Sequence, residues 1–198
     1  MSSVEIRPAN VNDIDVVVPC IYSSGPIAFD YVFSDGMDFL KQSFKKGQCQ
    51  FGFQNHYVAE LNETVVASIA CFDRNQLNAM ELPCIKEIFQ YYGWRSIPVL
   101  LRGLSIERLI PKPIQHSLYI AHVGVTPEQR GTGIGTQLIA WAKEKAQRQG
   151  YQSLTLDVAK TNDGAEKLYR SLGFEDLKLR HSKIANLCDH KTMILKLR

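Results

Sequence analysis

The stretch Arg130-Gly131-Thr132-Gly133-Ile134-Gly135 carries the residue types and spacing best suited to chemistry. Three glycines in five residues let backbone N–H groups approach a ligand with no Cβ in the way. A helical pattern starts directly behind them. Its unsatisfied N–H groups and the positive end of its dipole point at the same place. An apolar run over residues 118–125 precedes the turn and reads as a buried strand, which Thr126-Pro127 ends. Strand, glycine turn and helix start together make a site for a phosphate or pyrophosphate. The spacing sets two common phosphate binders aside. A dinucleotide fingerprint needs G-x-G-x-x-G directly after a strand, whereas these glycines run G-x-G-x-G behind a linker over residues 126–130. A P-loop needs a lysine directly after its last glycine, and none follows here before Lys143.

Four further residues have side chains that could take part in a reaction. His122 lies on the apolar run, where an imidazole titrating near ~6.5 could serve as a base or simply as a structural hydrogen-bonder. Asp157 sits in Leu-Asp-Val, on a strand whose Leu154, Leu156 and Val158 alternate with Thr155 and Asp157. Asn162 opens a short helix with the apolar set Ala165, Leu168, Tyr169 and Leu172, and as a bare residue it could be only a helix cap. Tyr169, on that helix, could equally be a core residue. Gly173-Phe174 reads as a Schellman stop with its hydrophobic contact.

The elements that must position these residues follow from periodicity. Ile134, Leu138, Trp141, Ala142 and Ala146 form the apolar stripe of a helix over 134–149, and Gly150 suits its C′ position. Upstream, Val4 and Ile6 mark a short first strand, and Asn10 or Asn12 caps a helix over 13–22, where Pro19 predicts a kink or an early end. Ser23-Ser24-Gly25-Pro26 is a turn, and the loop behind it carries Phe29, Asp30, Tyr31 and Phe33 before a second helix over about 35–46. Residues 54–61 and 64–72 form a hairpin around Asn62-Glu63. Residues 73–117 hold two helical patterns, the second capped by Ser96. This stretch could shape a pocket, form an oligomer contact or simply pack on the sheet. Met193, Leu195 and Leu197 mark a last strand.

Taken in order, the two blocks resemble the GNAT superfamily of acyl-CoA N-acyltransferases. Its signature, Q/R-x-x-G-x-G/A after a strand ending in V-x-P, is matched by Val125, Pro127, Arg130, Gly133 and Gly135. The second block, strand, Asn162, Ala165, Leu168-Tyr169 and Leu172-Gly173-Phe174, follows about thirty residues later. The clear match covers residues 118–175. The resemblance implies an α/β (α+β) GNAT fold in one domain over residues 1–198. That fold has a mixed central sheet of about six or seven strands, flanking helices and a splayed central strand pair. It implies transfer of an acetyl group from acetyl-CoA to a primary amine by direct attack in a ternary complex. The backbone amides of Gly131, Gly133, Ile134, Gly135 and Thr136 would hold the pyrophosphate, with Arg130 adding charge. The backbones of Val123 and Val125 would pair with the pantetheine arm, and Asn162 would bond the same region. Tyr169 would be the general acid that protonates the leaving thiolate, since a phenol near pKa ~10 stays protonated at neutral pH. The general base is open among Asp157, which stands where some members carry Glu, His122, and a path of ordered water. A CoA-binding sensor without turnover and a transferase of longer acyl chains are the competing readings.

The whole chain sets outer limits. Its 198 residues are 45% hydrophobic and 22% charged, enough for one domain with a full core. A net charge of +3 with no dense Lys/Arg cluster argues against nucleic acid or membrane as the main partner. Cysteines 20, 49, 71, 84 and 188 form no CxxC and no metal spacing, so no metal is expected and reduced thiols in a cytoplasmic protein are. The N-terminus lacks an apolar signal core. The acceptor amine is open, whether a small molecule or a protein amine, and a homodimer is compatible with the sequence.

Overall fold

The computed structural model describes residues 4–197. In chain order it forms β1 (Val4–Pro8), α1 (Ile14–Ser23), α2 (Pro26–Val32), α3 (Gly36–Lys46), β2 (His56–Leu61) and β3 (Thr64–Phe72). Then follow α4 (Arg74–Tyr92), α5 (Ser96–Leu109), β4 (Ser117–Val125), α6 (Ile134–Arg148), β5 (Ser153–Ala159), α7 (Asp163–Ser171), β6 (Glu175–Arg180) and β7 (His190–Lys196). The strands make one seven-stranded sheet in the order β1-β2-β3-β4-β5-β7-β6. All neighbours are antiparallel except β4 and β5.

Two irregularities in the middle of this sheet matter. First, the parallel β4–β5 pair is short: Ser117, Leu118 and Tyr119 face Ser153, Leu154 and Thr155, and no pairing continues beyond them. Both strands run on for several residues, so they splay. Second, β4 bulges against β3. Ala70 faces Ala121 and Ser68 faces Gly124, so two steps on β3 oppose three on β4. The extra residue is accommodated at His122, whose φ is +52°.

Helices cover both faces. On one, α6 and α7 seat Leu138, Ile139, Ala142 and Tyr169 against Ile69, Leu118, Leu154 and Leu156. On the other, α1 and α3 seat Val17, Ile21, Phe39 and Phe44 against Val58, with Ile88 of α4 and Val99 of α5 closing the layer. Gly124 permits this approach, since a Cβ there would fall 2.5 Å from Cys20 Cβ on α1. Among the described residues no helix is long and apolar enough to cross a membrane.

The sequence reading needs several corrections. The aromatic loop after Ser23 is a helix, α2, because Pro26 fits its first turn, and Phe29 and Val32 bury one face. Pro19 leaves α1 running on to Ser23. α4 starts ten residues earlier than Cys84, at Arg74, where Asp73 and Gln76 form a reciprocal capping box. Ser96 is the first residue of α5 rather than its cap, with its hydroxyl donating to the Gly93 carbonyl at 2.6 Å. The edge strand β6 is absent from the sequence reading. Finally, Cys49 and Cys84 are joined as a disulfide, so only Cys20, Cys71 and Cys188 are free.

Candidate acyl-transfer site

The glycine turn forms as its residue types dictate. Gly131 and Gly133 have φ of +78° and +89°, and no atom lies within 4 Å of where a Cβ would stand on either. Any other L-residue would be strained there and would fill the cradle. Gly133 flanks α6, and no side chain caps that helix. The Gln137 N–H donates to the Gly133 carbonyl at 3.1 Å, so the N–H groups of Ile134, Gly135 and Thr136 stay without helical partners. Arg130 donates from Nε to the Val125 carbonyl at 3.2 Å, tying the turn to the end of β4. Gly135 lets Leu168 of α7 come within 3.5 Å of its Cβ position. This cradle offers convergent donors of the kind a pyrophosphate accepts.

From the cradle, Val125 and Val123 lead back along β4 to the bulge. Their side chains pack on the α6 face. Beyond Tyr119 this strand has no β5 partner, so the parted strands offer an unpaired backbone edge. An extended amide-bearing ligand can add to such an edge as a strand would.

Asp157 lies on the other wall of the splay, its side chain only 3% exposed. Tyr119 Oη donates to its Oδ2 at 2.9 Å and Thr192 Oγ1 to its Oδ1 at 2.5 Å. Arg180 donates to Thr192 Oγ1 and stands 3.9 Å from Oδ1. Burial raises the Asp157 carboxyl above its ordinary value, although these two hydroxyls and the Arg180 charge act the other way. A cavity of about 30 Å³ opens between Tyr119, Asp157, Arg180 and Thr192. That is room for a water molecule with several polar partners. Tyr119 itself is held protonated, by burial first and by the Asp157 charge second.

Tyr169 is 9% exposed and packs against Phe174 at 5.8 Å between ring centroids. Burial alone lifts its phenol to about 12, so it carries its proton at neutral pH. Asn162 caps α7, accepting from the Ala165 N–H at 3.1 Å through Oδ1, and its amide N–H groups stay available to other partners.

His122 belongs to a different group of side chains. The bulge turns its ring toward α1 and α2, among Phe29, Phe51 and His56 at centroid distances of 5.9, 5.5 and 5.9 Å. Its Nδ1 lies 3.2 Å from Ser24 Oγ. Burial, helped by His56, lowers it to about 3, so the ring is neutral and weakly basic. The structure thus brings Asp157 to the splay with Tyr119, Thr192 and Arg180, and leaves His122 outside that hydrogen-bonded group. Sequence reasoning passed over these three partners. A tyrosine and a threonine alternating with apolar neighbours on buried strands were the available signal for two of them. Among the described residues no group of three or more His, Cys, Asp or Glu side chains is placed to hold a metal ion.

Residues 26–174 match the acetyltransferase (GNAT) family, and the chain belongs to that family. The thialysine N-epsilon-acetyltransferase of Bos taurus is 39% identical over 61 residues, which are 31% of this chain and 36% of that protein. The chain therefore spans little more than a third of that relative's length. A solved structure of an acetyltransferase shares the fold with a TM-score of 0.68 at 21% identity, over 98% of this chain and 100% of its own. A NatC complex bound to Gag peptide and CoA gives 0.56 at 16% identity, over 99% of each chain.

Proposed function

We propose that this protein is an N-acetyltransferase that moves an acetyl group from acetyl-CoA to a primary amine by direct attack in a ternary complex. The observation that carries the reading is the continuity of the glycine cradle with the splayed β4–β5 pair. The N–H groups of Gly131, Gly133, Ile134, Gly135 and Thr136 suit the pyrophosphate, with Arg130 at the rim. The unpaired edge of β4 near Val123 and Val125 suits the pantetheine amides, and Asn162, the cap of α7, offers its amide to the same arm. Acetyl-CoA supplies the activated acyl carbon. The chain supplies orientation, a polarising β4 N–H and two proton-handling side chains.

We assign the base role to Asp157 rather than His122. A carboxyl raised by burial accepts a proton more readily than an ordinary one, and the adjoining cavity has room for a relay water. An imidazole lowered to about 3 is a poor acceptor for an ammonium proton. Tyr169 is the acid for the leaving thiolate, and among the described residues its hydroxyl makes no hydrogen bond to another side chain. His122 and Ser24 line the α1–α2 side, where they help to shape the acceptor approach.

The test is a panel of amines (diamines, amino acids and N-terminal peptides) with acetyl-CoA, followed for acetylated product by mass spectrometry. One acceptor class turning over supports the enzyme and names its substrate. Tight CoA binding with no product from any arm would favour a binding module, and preference for a longer acyl-CoA would move the donor assignment.

A homodimer, which the sequence allows, would use the outward apolar side chains of α4 and α5. α4 turns Leu82, Ile85 and Phe89 outward and α5 turns Ile97, Leu101 and Leu104 outward, each trio on one side of its helix, with Leu82 77% and Ile97 62% exposed. Exposed apolar side chains of this kind suit the core of an interface between two copies. Leu82→Glu with Leu101→Glu should convert a dimer to a monomer in sedimentation velocity; a wild-type monomer at 50-fold higher loading would refute the contact. As to compartment, the Cys49–Cys84 bond removes the cysteine argument for a reducing cytoplasm.

A further inference from the structure

A second cavity, of about 520 Å³, lies between the C-terminus of α4, the start of α5 and the start of α3. Its volume is that of a small-molecule site. It is separate from the acyl-transfer centre. Tyr91 and Tyr92 in its wall pack against Phe39 at 5.5 and 5.7 Å, and Phe39 packs in turn on Phe51 at 6.4 Å. Phe51 is the ring that touches His122. Two layers of buried rings therefore stand between this cavity and the β4 bulge. It is also distinct from the outward apolar stripe, since Pro98, Val99 and Arg102 line it from the opposite side of α5.

The charges in this cavity are unbalanced. Asp35 is its one carboxylate, and both of its oxygens are occupied, Oδ2 by Tyr91 Oη at 3.0 Å and Oδ1 by Tyr92 Oη at 2.8 Å. Two guanidinium groups, Arg95 and Arg102, line the same space, and among the described residues neither has a salt-bridge partner. Arg102 Nε is buried and has no hydrogen-bond acceptor among the described residues. A buried donor of a charged group without an acceptor is costly, and a planar oxyanion is its natural partner. Apart from Ser34 the rest of the wall is aromatic or apolar, and Trp94 stands at the rim, 87% exposed. A flat apolar body suits such walls.

We propose that this cavity binds an organic carboxylate with a planar apolar body, the carboxylate on Arg102 and Arg95 and the ring against Tyr92 and Trp94. The site stands apart from the acetyl transfer proposed above and needs no turnover to be tested.

The probe is 1-naphthoate, titrated calorimetrically into the full chain, with 1-naphthamide as its neutral match and saturating CoA as a competitor. The expected result is at least tenfold tighter binding of the acid than of the amide, unchanged by CoA. Arg102→Gln should weaken the acid at least tenfold while leaving acetyl-CoA affinity as in the wild type. Arg95→Gln, at an exposed position, should weaken it about threefold or more and decides the matter if Arg102→Gln does not fold. Equal binding of acid and amide, displacement by CoA, no binding at millimolar acid, or indifference to the folded arginine variants would each overturn the assignment.

Discussion

In the proposed reaction the two proton transfers fall to side chains on different elements, Tyr169 on α7 and Asp157 on β5. If Tyr169 gives the thiolate its proton, Tyr169→Phe should lower kcat by about 10²-fold or more with little change in acetyl-CoA affinity. A loss confined to donor affinity would make the phenol a packing group. Asp157→Asn should lower kcat by a similar factor at pH 7. Its deficit should narrow toward pH 9–10, where more of the amine is already free base and needs no protein acceptor. A deficit constant with pH would show that the carboxylate holds structure rather than receives a proton. Thr192→Val tests the same network more gently: it removes the 2.5 Å bond to Asp157 and should raise the carboxyl further, shifting the acid limb of the rate profile to higher pH.

At the scale of elements, the bulge on β4 and the approach of α1 fix the site, and Gly124 is the residue that joins them. Gly124→Ala places a Cβ within 2.5–2.8 Å of Cys20, backbone atoms included. It should cost about 1–3 kcal/mol in denaturant unfolding, and trimming Cys20 to Gly should recover little, because the Cys20 backbone remains in the way. The parts of the site that are local in sequence were legible there. The glycine turn, α6 and α7 lie within forty-two contiguous residues, and each carries its own stop and start signals. The Asp157 network was not legible, because Tyr119, Asp157, Arg180 and Thr192 meet through the β4-β5-β7-β6 order, and its bonded pairs lie 12, 35 and 38 residues apart in the chain. α2 was misread because a Ser-Ser-Gly-Pro run marks a turn and a helix start with the same residues. β6 was missed because it is a short, exposed edge strand in which only Leu177 and Leu179 stand among Glu, Asp, Lys and Arg. The Cys49–Cys84 bond joins α4 to the segment after α3, a contact that no spacing rule announces.

For the molecule as a whole, two imidazoles, that of buried His56 and that of half-buried His122, bear on its response to acid. Burial lowers His56 to about 4 and His122 to about 3 in the folded chain, against 6.5 for an ordinary histidine. Below pH 6.5 the unfolded chain takes up protons that the folded one refuses until the pH nears 4 and 3. Their contribution is therefore complete above pH 6.5 and is lost as the pH falls. Folding stability should drop by at least about 2 kcal/mol between pH 6.5 and 4, with a shallower slope in His56→Phe. A flat profile would mean that the two rings take up protons as readily in the folded chain as in the unfolded one. Thiol titration of the denatured, non-reduced chain should find three free cysteines and not five. The most direct test of the central claim is calorimetric titration of acetyl-CoA into the wild type and into Gly133→Glu. Binding to the wild type should be micromolar. Binding to the variant, whose side chain fills the open cradle with negative charge, should be at least a hundredfold weaker. Equal affinity for the two proteins, or no binding to the wild type, would contradict that claim.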